Sequence, residues 1–216
     1  GGTLGVAQLI NATNSTLTEG LIESARFGTS SVTIHPSGKF AYAASQNSNT
    51  VSAYAINVLT GTLSPIGVAV PAGTGPVSAS VDPSGKFAYV VNQTAGNVSA
   101  YAINATTGAL TQILCGGGAG CNGNNFLAGS GPRSVSVDPS GKFAYVANFG
   151  SNDVSTYTIN ATTGALTSVG TVAGTTGPIS IGVDPSGKFA YVAGFTSGFV
   201  KAYSINATTG TLTEGL

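Results

Sequence analysis

The sequence predicts an all-β fold, a β-propeller of four full four-stranded blades with half a blade left over at the N-terminal end. Three observations predict it. The segment His35-Pro-Ser-Gly-Lys-Phe-Ala-Tyr42 returns as Asp82 to Tyr89, Asp138 to Tyr145 and Asp184 to Tyr191, in steps of 47, 56 and 46 residues. A period of about 46 or 47 residues is that of four-stranded blade repeats. Within each unit apolar residues alternate with small polar ones between turn signals, and no stretch carries a helical period. Links this short make neighbouring strands antiparallel. One such sheet cannot hide both faces, whereas sheets stacked round an axis bury Val, Phe, Tyr and Ile between them.

The third unit serves for all. Ser134 to Asp138 alternates as a strand. Asp138-Pro139-Ser140-Gly141 places Asp, Pro and Gly where a type I turn favours them. Lys142 to Asn148 is the second strand, Asp153 to Asn160 the third, Asn160-Ala-Thr-Thr-Gly164 a turn, and Ala165 to Val172 the fourth strand. The expected boundaries are a half blade over 1–28 and blades over 29–75, 76–131, 132–177 and 178–216. The long step falls in the second blade, which carries a cysteine loop.

The two ends of the chain resemble each other. Leu4-Gly-Val-Ala-Gln-Leu-Ile-Asn11 and the following stretch to Ile22 match Val200 to Leu216, and both share Thr-Leu-Thr-Glu-Gly-Leu. An outer half blade without an inner half has three explanations: a window cut from a longer array, an extra layer on an edge, or completion of a blade in a neighbouring molecule. Unpaired strand edges invite strand addition. The strands expected to take part carry Leu4, Val6, Leu9, Leu17 and Leu21 at one end and Val200, Tyr203, Ile205 and Leu212 at the other.

Composition narrows the function classes. Hydrophobic residues make up 42% and charged residues 6%, and seven basic residues balance seven acidic ones. With no Lys or Arg run, nucleic acid is not an expected partner. No apolar run approaches a membrane span. Absent net charge, little repulsion opposes self-association. A chain that begins Gly1-Gly2 and contains no Met is expected to be a processed, secreted product, extracellular or at the cell surface. Cys115 and Cys121 flank a glycine-rich spacer and are read as a disulfide in an oxidising compartment, or as two free thiols in a loop. No metal or cofactor is expected, since two cysteines and one distant histidine do not make a ligand set. Asn-x-Ser/Thr acceptors include the repeated turn at Asn104, Asn160 and Asn206 and its N-terminal counterpart at Asn11, so glycosylation is possible there in a secreted chain.

The units, such as Val135-Ser-Val-Asp-Pro-Ser-Gly-Lys-Phe-Ala-Tyr-Val-Ala-Asn148 followed by Asp153-Val-Ser-Thr-Tyr157, resemble the YVTN-type propeller repeat. They are also similar to the 6-phosphogluconolactonase-like group of the lactonase family. The resemblance covers nearly the whole chain and rests on turn and core residues. It implies a seven-bladed plan and a site of charged and His residues near the axis.

Candidate chemistry is sparse. Asp82, Asp138 and Asp184 sit in identical turns and read as turn caps, and no two carboxylates read as an acid–base pair. Arg133 follows Gly131-Pro132 just before an inner strand, where loops approach the axis, and is a candidate anion ligand. His35 replaces the repeat Asp and is either a ligand or a tolerated turn residue. Lys39, Lys86, Lys142 and Lys188 recur after the turns and read as strand-end side chains. The functional expectation is an extracellular scaffold that assembles with itself, head to tail, through its half-blade ends. The alternatives are a lactonase-like enzyme or part of one, and a module binding a small molecule or glycan on the axial face.

Overall fold

The computed structural model describes residues 8–10, 17–19 and 27–215, and among these every regular element is a strand. At the N-terminal end β1 (Gln8–Ile10) and β2 (Leu17–Glu19) form an antiparallel hairpin. A first large sheet follows: β3 (Thr29–Ile34), β4 (Phe40–Ser45), β5 (Thr50–Ile56) and β6 (Leu63–Pro65), with β7 (Val70–Pro71) also on β5. The second holds β8 (Pro76–Val81), β9 (Phe87–Asn92), β10 (Asn97–Ile103) and β11 (Leu110–Ile113), extended by β12 (Cys121–Asn122) and β13 (Asn125–Leu127). The third is β14 (Pro132–Val137), β15 (Phe143–Asn148), β16 (Asp153–Ile159) and β17 (Leu166–Ala173). The fourth is β18 (Pro178–Val183), β19 (Phe189–Gly194), β20 (Val200–Ile205) and β21 (Leu212–Glu214). Consecutive strands pair antiparallel, as the short links require.

The departures from a plain four-stranded pattern all fall on the fourth strand. In the third sheet it runs unbroken over Leu166–Ala173. In the first it splits into β6 and β7, which pair with the two ends of β5. In the second, the cysteine loop interrupts it, and β11 and β13 pair with the two ends of β10. The extra length of the second unit is therefore an insertion within one strand. The β1–β2 register, with Ile10 opposite Leu17 and Gln8 opposite Glu19, repeats that of β20–β21, where Ile205 faces Leu212 and Tyr203 faces Glu214.

Turn chemistry fixes the strand ends. Asp82 Oδ1 accepts from the Phe87 amide at 2.7 Å and Asp138 Oδ1 from the Phe143 amide at 2.8 Å, while Oδ2 of each takes the amide and hydroxyl of the following Ser. In Asp184 the same bonds, from the Ser186 hydroxyl first and then the Phe189 amide, hold the carboxyl below its usual range. The outer turns close through Asn: Asn104 Oδ1 accepts from the Thr106 and Thr107 amides, both at 2.9 Å.

Between sheets the core is Tyr, Phe, Val and Ala, with the largest fully buried side chains being tyrosines. Six of the buried tyrosines keep their hydroxyls satisfied by a carbonyl of the neighbouring sheet. Tyr42, Tyr89 and Tyr145 donate forward to the carbonyls of Gly108, Gly164 and Gly210 at 3.0, 2.9 and 3.0 Å. Tyr101, Tyr157 and Tyr203 donate backward to Pro71, Leu127 and Ala173 at 2.6, 2.6 and 2.7 Å. Two tyrosine bonds of opposite direction thus lock each of the three internal joints.

Candidate axial site

Each large sheet opens with the same irregularity. The pairing of its first and second strands slips by one residue, between Thr29 and Ser31, Pro76 and Ser78, Pro132 and Ser134, and Pro178 and Ser180. One residue per sheet is left out of the ladder: Ser30, Val77, Arg133 and Ile179. A bulge of this kind bends the strand and re-aims the side chain of the extra residue. In the last three sheets it follows a Gly-Pro pair, and the proline cannot donate to a ladder.

A second set of four residues lies opposite. Gln46, Gln93, Phe149 and Phe195 each follow directly on the second strand, and their amides donate to the carbonyls of Gly28, Gly75, Gly131 and Gly177 at 2.8 to 3.0 Å. Together the two sets line one cavity of about 530 Å³, a size that suits a small molecule. The repeat is nearly constant in its turns and core, yet at these eight positions it varies: Ser, Val, Arg, Ile in one set and Gln, Gln, Phe, Phe in the other.

Among the described residues, Arg133 is the only charged one of the lining. Its guanidinium lies over the Phe149 ring, 5.0 Å from the centroid, a cation–π geometry. The Gln93 side-chain oxygen accepts from Arg133 Nε at 3.3 Å and Nη2 at 3.1 Å. The side chain is thus held from two sides and remains exposed to the cavity. A planar guanidinium so held can take a carboxylate or phosphate in a bidentate bond. The two amides and the Ser30 hydroxyl can serve hydroxyl groups, and Phe149, Phe195, Val77 and Ile179 offer apolar faces.

The other predicted residues lie elsewhere. His35 is buried at a joint between the first and second sheets: Nε2 faces the Gly85 carbonyl at 2.9 Å, Nδ1 faces the Ser37 hydroxyl at 2.8 Å, and the ring meets Phe40 edge-on. Cys115 and Cys121 are disulfide-bonded. Asn104, Asn160 and Asn206 are exposed in their turns, while Asn11 lies outside the described residues. Leu4, Val6 and Leu21 also lie outside them, and Leu9 and Leu17 fall in β1 and β2. Tyr203 and Leu212 are buried within the chain's own core, Ile205 is half-buried and Val200 is exposed. Gln93, Phe149 and the bulge residues beside Arg133 escaped the sequence reading, although aligning the four units would have marked their columns as the variable ones. Among the described residues there is no cluster of His, Cys, Asp or Glu fit for a metal ion, and no helix long and apolar enough to cross a membrane.

Stacked antiparallel sheets round an axial cavity define a β-propeller with a ligand-sized central site. The sequence profile of lactonase, 7-bladed beta-propeller, matches residues 1–115 and 119–215, and the chain belongs to that family. Among solved structures it is similar to a Bacteroides uniformis protein provisionally assigned as a 6-phosphogluconolactonase, at 22% identity and a TM-score of 0.82, covering 96% of this chain and 62% of that one. It is also similar to the periplasmic gluconolactonase PpgL of Pseudomonas aeruginosa, at 21% identity and a TM-score of 0.78, over 98% of this chain and 62% of that one. At these identities the likeness speaks for the fold. The chain spans about 62% of the length of those proteins. No protein with a curated description matches it in sequence.

Proposed function

We propose that this chain is a lactonase-like propeller whose axial cavity holds a small anionic sugar acid or its lactone, with Arg133 on the carboxylate or phosphate. The observation that carries this reading is the Arg133 guanidinium in the cavity, braced by Phe149 and Gln93. The family match favours it over an extracellular scaffold, as does the similarity to a gluconolactonase. In this reading the four large sheets are four blades and the β1–β2 hairpin is the outer half of another. The side chains supply binding and orientation. No histidine or carboxylate lines the cavity among the described residues, so no residue is given a role in ring opening. A hydrogen bond to a charged group contributes about 1.5–3 kcal/mol, so Arg133→Gln is expected to weaken binding of 6-phosphogluconate by roughly 10- to 100-fold in calorimetric titration. Equal affinity of the two proteins would overturn the assignment of Arg133.

An oxidising compartment fits the same molecule, because the disulfide between Cys115 and Cys121 persists in secreted and periplasmic surroundings. Asn104, Asn160 and Asn206 are exposed acceptor sites for glycan there. An intact mass equal to the bare 21.1 kDa polypeptide would remove the glycan.

A further inference from the structure

The joint between the second and third sheets is the one that Gln93 and Arg133 bridge. The disulfide-bonded insertion lies against both halves of it. β13 pairs with the end of β10 next to Gln93: Leu127 stands opposite Asn97, and Asn97 opposite Asn92. The Leu127 carbonyl takes the Tyr157 hydroxyl of the third sheet at 2.6 Å. Phe126 and Cys115 are buried in one core with Val135, which follows Arg133 on the same strand.

On the side of Gln93 the insertion holds the loop itself. Gln93-Thr94-Ala95-Gly96 joins β9 to β10. The Asn122 side-chain amide donates to the Ala95 carbonyl at 3.2 Å, and the Ala128 backbone amide to the Gly96 carbonyl at 3.0 Å. Beneath the loop, Asn92 is fully buried and donates to the Ser99 hydroxyl at 2.9 Å. That hydroxyl donates in turn to Asn125 Oδ1 at 2.9 Å. Asn122 and Asn125 face each other across the β12–β13 hairpin, so both side-chain ties come from one short element. The unbroken β17 of the third sheet carries no such hairpin.

The disulfide is the main restraint on that hairpin. β12 is two residues long and lies at the edge of its sheet, and a hairpin this small is marginal by itself in water. The spacer Gly116-Gly117-Gly118-Ala119-Gly120 is exposed throughout, and glycine loses more backbone freedom on ordering than any other residue. With the Cys115–Cys121 bond open, that entropy opposes the hairpin. Cys121 is half-buried beside the exposed spacer, within reach of a reductant.

We propose that the Cys115–Cys121 disulfide is a redox latch on the axial site: closed, it holds the loop of Gln93 and with it the brace on Arg133, and opened, it slackens both. Its effect on affinity rests on the reading of Arg133 as the anion ligand. A dithiol opens the latch by supplying two electrons and two protons. The S–S bond breaks, one S–H bond forms on each cysteine, and the dithiol closes to its own cyclic disulfide. Cytosolic thiols hold such a latch open, and an oxidising compartment closes it.

The isotopically labelled full chain, oxidised and then reduced with dithiothreitol, tests it. The readouts are amide hydrogen exchange, the Arg133 Nε–H resonance and calorimetric titration with 6-phosphogluconate. Reduction is expected to speed exchange at Gln93, Ala95 and Gly96, whose amides donate to Gly75, Thr74 and Asn92. It is expected to shift the Arg133 resonance without ligand, and to weaken binding about threefold to tenfold, as for the loss of one hydrogen bond. Reoxidation restores all three. The chain with both cysteines replaced by Ser is expected to behave as the reduced form and to ignore dithiothreitol. Asn122→Ala keeps the disulfide and is expected to shift the Arg133 resonance in the same direction. Unchanged exchange and resonance on reduction, faster exchange in all four sheets alike, or unaltered affinity beside a shifted resonance would each overturn the latch. If exchange and resonance respond but 6-phosphogluconate binds in neither state, the latch stands and the reading of Arg133 as its ligand falls.

Discussion

At the scale of single residues, the repeat separates positions that hold the fold from positions free to vary. Glycine at the end of the outer turn belongs to the first kind. Gly164 has φ +72°, and a Cβ there would meet Phe87 at 2.4 Å and Ile113 at 2.7 Å. Gly38 has a similar φ of +70° but open space around it. Gly38→Ala is therefore expected to cost only the left-handed backbone term, about 1–2 kcal/mol, and Gly164→Ala an overpacking term of about 1–3 kcal/mol beyond it. Urea unfolding of the two variants measures the difference, and equal losses would contradict the packing argument. Arg133 is of the second kind. Its place just before an inner strand was legible from Gly131-Pro132, but its brace was not, because Gln93 and Phe149 come from second-strand ends of two different sheets. His35 illustrates the opposite limit. It stands out in the sequence as the one departure from the repeat Asp, yet its ring is spent on Ser37 and on Gly85 of the next sheet. Sequence divergence at that turn reads equally as a ligand or as a joint, and only the neighbouring sheet decides.

At the scale of elements, the strands and turns were legible to within a residue or two. In the third unit the expected strands at 142–148 and 153–160 appear as Phe143–Asn148 and Asp153–Ile159. The first strand starts two residues early, at Pro132, because the bulge lets the ladder resume beyond Arg133. Bulges leave little trace in alternation, which is why this one was missed. The cysteine loop is an insertion in the fourth strand of the second sheet, and it packs there: Phe126 is buried, and β13 pairs with β10. Closing a loop this short restricts the unfolded chain by about 2 kcal/mol. Replacing both cysteines by Ser is expected to lower stability by that amount. Hydrogen exchange should speed up mainly in β11, β12 and β13, and a loss of protection spread over all four sheets would contradict a local role.

At the scale of the whole molecule, the stability of the stack rests on tyrosine hydroxyls buried between sheets. Burial pushes the Tyr42 and Tyr157 hydroxyls up to about 12 and those of Tyr89, Tyr101 and Tyr145 higher still. In the unfolded chain they titrate near 10. Groups whose pKa is raised by folding contribute stability below pH about 10 and lose it as the pH climbs through their folded values. The chain is therefore expected to unfold cooperatively in alkali between about pH 10 and 12, with tyrosine ionisation and loss of far-ultraviolet circular dichroism in step. Ionisation of these five hydroxyls near pH 10 with the strands intact would contradict their burial. The repeat length made the stacked plan legible from sequence. Which tyrosine of each unit reaches forward and which reaches back was not, since both donate to backbone carbonyls of another repeat.

The central claim is that Arg133 is the anion ligand of the axial cavity. The most direct measurement is a titration of the isotopically labelled chain with 6-phosphogluconate, following the Arg133 side-chain Nε–H resonance by nuclear magnetic resonance. A saturable shift of that signal, matched by Gln93 and absent from Lys39, Lys86, Lys142 and Lys188 at the turns, is the predicted result. An unmoved Arg133 resonance while the ligand binds elsewhere, or shifts spread over the lysines alone, would contradict it.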